Sequence, residues 1–312
     1  MQLNLWQILL ALFEGAFGNK VNLVTTLSKT TPLILTGLSV AIPLQCGLFN
    51  IGSEGQLYIG GITAADVGIL FPQLSPWLYP GLTLACAFLA GAIWGMIPAW
   101  LKLKRGAHEV ISTIMLNYIA IYFTSYLVRG PLNQGGYIPK TTPVASSARL
   151  GMLLDMQVVQ LNYGILLALA VCIALAWFLR RTVPGYELRA AGLNPLAARQ
   201  AGINMEAQVM SAMALGGGLA GLAGAVEVLG VHYAFYAQFS PGYGYDGIAV
   251  ALLASAQPLA ILPAALLFAA LRTADRWMQL KAGVPKDIIL IIQAVIIMMV
   301  AVKSLWRKKR LE

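Results

Sequence analysis

Asn50, Ser53, Glu54 and Gln56 interrupt an otherwise apolar run, Gly47-Leu-Phe-Asn-Ile-Gly-Ser-Glu-Gly-Gln56, that also holds three glycines. Glycine lets a backbone leave a helix and approach a ligand closely. The backbone groups so freed, with Asn50, Glu54 and Gln56, can hydrogen-bond a polar solute inside a membrane. The same composition also fits a turn between two helices. A carboxylate at membrane depth favours the functional reading, so Asn50, Glu54 and Gln56 are candidate substrate-pathway residues.

A second polar interruption is Arg105-Gly-Ala-His-Glu-Val-Ile-Ser-Thr-Ile-Met-Leu-Asn-Tyr118. Glu109 falls in the first turn of the helix that follows, where an acid meets the positive end of the helix dipole. Asn117 lies two turns further in, either as glue between helices or as a pathway residue. His108 reads as a loop residue, because no second ligand stands at metal-binding spacing. In a third segment, His232-Tyr-Ala-Phe-Tyr-Ala-Gln-Phe-Ser-Pro-Gly-Tyr-Gly-Tyr-Asp246, aromatics are dense. They fit an interfacial belt, and their faces can also stack on sugars or bases, which makes Phe239 and Tyr243 candidate stacking groups.

A fourth segment runs from Pro184 through Glu187, Arg189, Asn194, Pro195 and Arg199 to Gly202. Asn194 is a good N-cap, Pro195 suits the first helical position, Leu-Ala-Ala-Arg-Gln-Ala favours helix, and Gly202 fits a C-terminal stop. A short capped helix on a loop can pass mechanical force to a separate motor protein, or it can be an ordinary surface helix. Elsewhere the chain lacks a Gly-x-x-x-x-Gly-Lys-Ser/Thr phosphate loop, a Gly-x-Ser-x-Gly elbow and a His-Glu-x-x-His zinc motif. Neither nucleotide binding of that kind nor hydrolytic catalysis has support, and no cofactor or metal is expected.

The elements that must carry these residues are membrane helices. Of 312 residues 59% are hydrophobic and 11% charged, with a mean hydropathy of +0.74, a balance foreign to soluble domains. A spanning helix needs roughly 20 mostly apolar residues. Runs near residues 3–18, 30–49, 55–71, 78–101, 110–128, 161–180, 206–229 and 287–304 qualify, the first as either a short span or an interfacial helix. The net charge of +9 sits in short clusters at Lys102 to Arg105, at Arg180 and Arg181, and from Arg307 to Arg310. That spacing fits positive-inside topology and not a nucleic-acid-binding stripe. Cys46, Cys86 and Cys172 lie in apolar runs and read as packing residues.

The block 246–271 is too long for one simple helix. Splitting it at Gln257-Pro258 into two short helices returns the basic tail to the cytoplasm. The expected fold is therefore an all-α polytopic integral membrane protein, a single domain over 1–312 with about ten transmembrane or half-crossing helices. Interrupted segments at Leu48–Gln56 and Asp246–Pro258 point to pseudo-repeated halves around a pathway. The loops at 129–160, 230–245 and 272–286 are expected outside, and the one at 181–205 in the cytoplasm. None is large enough for a folded domain, so solute capture and energy conversion fall to other chains.

The four motifs Gly47 to Gln56, His108 to Tyr118, Gly192-Leu-Asn-Pro-Leu-Ala-Ala, and Ser240-Pro-Gly-Tyr-Gly-Tyr-Asp-Gly-Ile-Ala-Val-Ala-Leu-Leu253 resemble, in order, permeases of the ribose and branched-chain amino-acid type of bacterial ABC importers, most closely the simple-sugar and nucleoside branch. The resemblance runs from about Thr31 to Val302. It implies a bacterial inner-membrane permease with a cytoplasmic C-terminus, importing nucleosides or simple sugars. It also implies a cytoplasmic ATPase, an extracytoplasmic binding protein, a second permease subunit, and a coupling helix at Asn194 to Gly202. The rival expectation is an ion-coupled secondary transporter in which Glu54, Asp66 or Glu227 carries the ion.

Overall fold

The computed structural model describes residues 5–156 and 159–282, together with residues 291, 295 and 298. Apart from those last three residues, the expected span at 287–304 lies outside the described residues, as does the basic tail. The helices are α1 (Leu5–Phe17), α2 (Lys20–Gln45), α3 (Ser53–Leu70), α4 (Tyr79–Arg105), α5 (Glu109–Arg129), α6 (Gly164–Arg181), α7 (Val183–Leu193), α8 (Pro195–Gln200), α9 (Met205–Glu227), α10 (Tyr243–Leu253) and α11 (Pro258–Ala282). A π-turn, Val228–His232, extends α9, and a small antiparallel hairpin of β1 (Met152–Asp155) and β2 (Gln160–Asn162) precedes α6. Among the described residues, α2, α4, α5, α6, α9 with its π-turn, and α11 are long and apolar enough to cross a membrane. The chain is thus an all-α, multi-pass membrane protein.

The break in the 246–271 block is present. α10 ends in a turn in which Ser255 (φ 50°) and Ala256 (φ 55°) are left-handed, and Pro258 opens α11. The expected loop at 272–286 is helical as far as Ala282. The reason is that its first turn is held by protein. Arg272 pairs with Asp246 and donates to the Pro241 carbonyl, Lys29 Nζ donates to the Arg272 carbonyl at 3.0 Å, and Ala274 packs against Gly15 of α1. Likewise α2 starts about ten residues before the expected 30, because Asn19 caps it by accepting from Asn22 N at 2.7 Å.

α9 is the spine of the bundle, packed on α2, α3 and α4. Its glycines allow backbones to touch: a Cβ on Gly221 would lie 2.4 Å from the Ala87 carbonyl oxygen, and one on Gly60 of α3 would lie 2.2 Å from the Gly221 Cα. In lipid the hydrophobic effect does not drive helices together, so such close packing supplies the cohesion.

The order of contacts fixes the layout. Gly60 meets Gly221 and Gly68 meets Leu229, so α3 and α9 run parallel, whereas Gly91 meets Gly217 and Gly95 meets Met213, so α4 runs opposite to α9. Lys104 pairs with Glu206 at 3.7 Å, which places the end of α4 beside the start of α9. One end of the bundle therefore carries α7, α8 and the ends of α2, α4 and α6; the opposite end carries the hairpin.

Gly221→Leu is expected to cost about 1–3 kcal/mol through overpacking and to lower the thermal unfolding midpoint in detergent. Gly81→Leu, at a position with open space around it, leaves the midpoint unchanged.

Candidate functional site

α2 closes on the Schellman pattern. Gly47 adopts φ 77°, Leu48 N donates to the Pro43 carbonyl at 2.9 Å and Gly47 N to the Leu44 carbonyl at 3.1 Å. The chain then turns back into the bundle. Ser39 Oγ donates to Ser53 Oγ at 2.9 Å, so α3 starts level with a point six residues short of the end of α2, about 9 Å inside the bundle at the usual helical rise.

Backbone leaving a helix inside a membrane must find new partners, and three carboxamides supply them. Asn50 Oδ1 accepts from Gly52 N at 3.1 Å, while Asn50 and Gln56 exchange bonds of 2.9 and 3.2 Å. Asn50 Nδ2 also donates to the Ser39 carbonyl at 3.3 Å. From α5, Asn117 Oδ1 accepts from Gly55 N and Asn117 Nδ2 donates to the Ile51 carbonyl, both at 2.8 Å. All three carboxamides are buried.

Glu54, 2% exposed, joins this break to a second one. After the π-turn the chain re-enters as residues 233–242. Phe239 packs on Tyr58 (5.1 Å between centroids) and on Phe235 (4.6 Å), and Tyr58 and Phe235 are themselves neighbours. α10 then begins inside the bundle. Ser240 Oγ accepts from Gly242 N (3.1 Å) and Tyr243 N (3.3 Å), and Glu54 Oε2 accepts from Gly244 N at 2.6 Å. Glu54 thus stands in the first turn of α3 while capping the first turn of α10. Two helix N-termini converge on one carboxylate. Contact is so close that a Cβ on Gly244 would lie 2.3 Å from Glu54 N.

Tyr243 is buried beneath the Arg272 guanidinium, 5.3 Å from its ring centroid. Glu227 is buried at the far end of α9, with His232 Nε2 at 3.6 Å, and Asp66 is exposed on α3. No group of three or more His, Cys, Asp or Glu side chains suited to a metal occurs among the described residues.

At the opposite end, Thr182 caps α7 by accepting from Gly185 N at 3.2 Å. Asn194 caps α8 by accepting from Leu196 N (3.1 Å) and Ala197 N (3.0 Å), and Pro195 is its first residue. A second Schellman closure ends α8: Gly202 has φ 84°, and Ile203 N donates to the Ala198 carbonyl at 3.0 Å. Leu193, Leu196 and Arg199 project outward. α7 itself is rooted in the bundle. Glu187 Oε2 accepts from Gln208 Nε2 of α9 at 2.9 Å, Arg189 is half-buried, and a Cβ on Gly192 would lie 2.1 Å from the Gln45 carbonyl oxygen. Gln45 Nε2 in turn donates to the Ala256 carbonyl at 2.8 Å, in the turn between α10 and α11. The α7–α8 unit therefore meets the start of the first break at Gln45 and, through Gln45, the turn that ends α10.

Residues 22–301 match the family of permease components of branched-chain amino acid transport systems. The chain belongs to that family. The permease is 38% identical to the guanosine ABC transporter permease NupP of Bacillus subtilis over 93% of its own length and 84% of the relative's. It is 35% identical to the nucleoside ABC transporter permease NupB of Lactococcus lactis (94% and 82%) and 34% identical to the glucose ABC transporter permease TsgB13 of Haloferax volcanii (96% and 81%). It is accordingly the permease component of an ABC importer, a transport subunit, and its family implies association with an ATPase and a binding protein.

Sequence reasoning found Asn50, Glu54, Gln56 and Asn117 but not their partners Ser39 and Gly244, nor Ser240 beside them. Ser240 carries a readable signal, a hydroxyl at the mouth of a helix opened by Pro-Gly. Ser39 and Gly244 carry none, since their roles depend on which helices meet.

Glu54→Ala removes the acceptor for Gly244 N–H and is expected to cost about 1–3 kcal/mol. Glu54→Gln keeps a carbonyl acceptor and should cost less. Thermal unfolding of the purified permease gives the order wild type, Gln, Ala; equal loss in both variants would mean that charge, not capping, is what the site requires.

Proposed function

We propose that the permease imports nucleosides through the bacterial cytoplasmic membrane, with its α7–α8 end in the cytoplasm against the ATPase and its hairpin end facing the binding protein outside. The observation that carries this reading is the continuous contact from α8 through α7 and Gln45 to the start of the first break and to the turn that ends α10. Force applied at the projecting Leu193 and Leu196 reaches the Glu54 junction without crossing a flexible linker. Orientation is supported by charge: Lys102, Lys104, Arg105, Arg180 and Arg181 all lie at the α8 end, as positive-inside topology demands.

In this mechanism α8 is the coupling helix, Asn194, Pro195 and Gly202 keep it rigid, and Arg199 meets the ATPase surface. Glu187 and Arg189 bind the coupling unit to the rest of the bundle. Asn50, Gln56 and Asn117 form the wall of the pathway by holding the broken backbone, and Glu54 is the joint about which α3 and α10 shift. Phe239 and Tyr243 pack behind that joint. A second permease subunit completes the pathway. The substrate class follows the guanosine and nucleoside relatives; the glucose relative shares with them a sugar-bearing solute.

The test is uptake of labelled guanosine and glucose into proteoliposomes containing the permease, its genomic-neighbour ATPase, second permease and binding protein. Guanosine accumulation that requires internal ATP is expected. Replacing Leu193 and Leu196 with Asp should lower it by about tenfold or more, as loss of an interface anchor does, and should release the ATPase on purification. Uptake by this chain alone, driven by an ion gradient, overturns the reading.

A further inference from the structure

The exposed side of α5 differs from the exposed sides of its neighbours. Along their lengths α4 presents Leu82, Leu89 and Ile93 and α6 presents Leu166 and Ile173, with exposed aromatics, Trp100 and Trp177, only within about five residues of their basic ends. α5 buries Thr113, Asn117, Ala120, Thr124 and Val128 and, beside the exposed Ile111, Met115, Ile119 and Phe123, turns Tyr118, Tyr122 and Tyr126 outward, at 51%, 71% and 68% exposure. Their spacing of four residues puts them in one row along the helix.

Tyr126, less than one turn from Arg129, is where an interfacial aromatic belongs. Tyr118 and Tyr122 are not. Tyr118 lies nine residues from Glu109 and eleven from Arg129, about 14 and 16 Å along the axis, near the middle of the span. Tyr122 lies about 10 Å from the nearer end. A phenol facing hydrocarbon at that depth has no partner for its hydroxyl, which is costly. The row also adjoins the Glu54 junction. Tyr245, in the first turn of α10 and 43% exposed, follows Gly244, which meets Glu54, just as Asn117, next to Tyr118, meets Gly55.

We infer that Tyr118, Tyr122 and Tyr245 form an aromatic ladder lining a water-filled solute path, on which the flat base of a nucleoside stacks while the phenol hydroxyls serve the sugar. Stacking tolerates every base because each has a π-face, which suits a path rather than a tight site. This rests on the function proposed above and names the residues that touch its substrate. It also ties solute contact to coupling, since Tyr245 sits on the helix that Glu54 caps.

The test uses the assembled four-component complex in proteoliposomes, with Cys46, Cys86 and Cys172 replaced by Ala and single cysteines placed at 118, 122 and, as the lipid-facing reference, 173. Charged, membrane-impermeant thiol reagents should modify Tyr118→Cys and Tyr122→Cys, and guanosine should slow both reactions; Ile173→Cys should react only with an apolar maleimide. In the cysteine-containing complex, Tyr122→Leu is expected to cut guanosine uptake by about tenfold or more and Tyr122→Phe to retain at least about half of it, since stacking survives in Phe. Reaction of positions 118 and 122 with the apolar reagent alone overturns the ladder, as does their cross-linking to the second permease without aqueous labelling. Full guanosine uptake with Leu at both positions overturns the ladder and leaves the importer reading intact. A wild-type complex that accumulates glucose and no nucleoside overturns the substrate assignment itself.

Discussion

Everything in this permease depends on one constraint: a peptide group released from a helix inside a membrane finds no water to bond. The chain releases such groups twice, at Gly47–Gly52 and at residues 233–242, and each release requires polar side chains at defined positions. Asn50, Gln56 and Asn117 meet the first demand; Ser240 and Glu54 meet the second. The helices around them are held by glycine-mediated backbone contact, which leaves the polar residues no slack. Shifting Asn117 away would strand both Gly55 N–H and the Ile51 carbonyl, a loss charged at the full desolvation of each.

Breaking helices at this cost gains something an unbroken helix lacks. A continuous span is bonded to itself and moves as a rod. α3 and α10 begin inside the bundle and meet nose to nose at Glu54 and Gly244. Their ends are thus held by side chains from other elements, and those contacts can exchange partners in a way that the hydrogen-bond ladder within a helix cannot. Gln45, bonded to Ala256 and packed on Gly192, links that joint to the surface where α8 projects. The left-handed Ser255 and Ala256 beside it are non-glycine residues in a sparsely populated conformation, which persists only where its surroundings hold it.

The sequence made the helices legible because lipid imposes a length and a composition, and seven of the expected spans correspond to α1, α2, α3, α4, α5, α6 and α9. The break before Pro258 was legible from the length of the block, its Gln257-Pro258 interruption and the charge of the tail. The 129–160 loop hid its hairpin, since Met152-Leu-Leu-Asp155 has no alternating pattern to reveal a strand. The helical stretch beyond Leu271 was hidden for a related reason: Arg272 and Asp275 look like a loop until Asp246 and the Pro241 carbonyl are seen to hold the arginine. Polar residues could be read as unusual from their apolar neighbours, but their partners lie far off in the chain. Gly244 is 190 residues from Glu54, and no periodicity reports that distance.

The placement of Glu54 bears on the choice between an ATP-driven subunit and an ion-coupled carrier. A carrier carboxylate must alternate between loaded and empty states, so it needs a route to water and a ligand set that can open. Glu54 is 2% exposed, accepts a backbone N–H from another helix, and faces two helix N-termini. Those partners tie the carboxylate to fixed backbone on two helices, which is the requirement for a structural joint, whereas ion release needs a ligand set that can open. Asp66 and Glu227 stand apart, one exposed on α3 and the other beside His232, so the three acids do not assemble into an ion path. Energy must therefore enter from outside the bundle, and the projecting, doubly capped α8 is the surface we propose receives it.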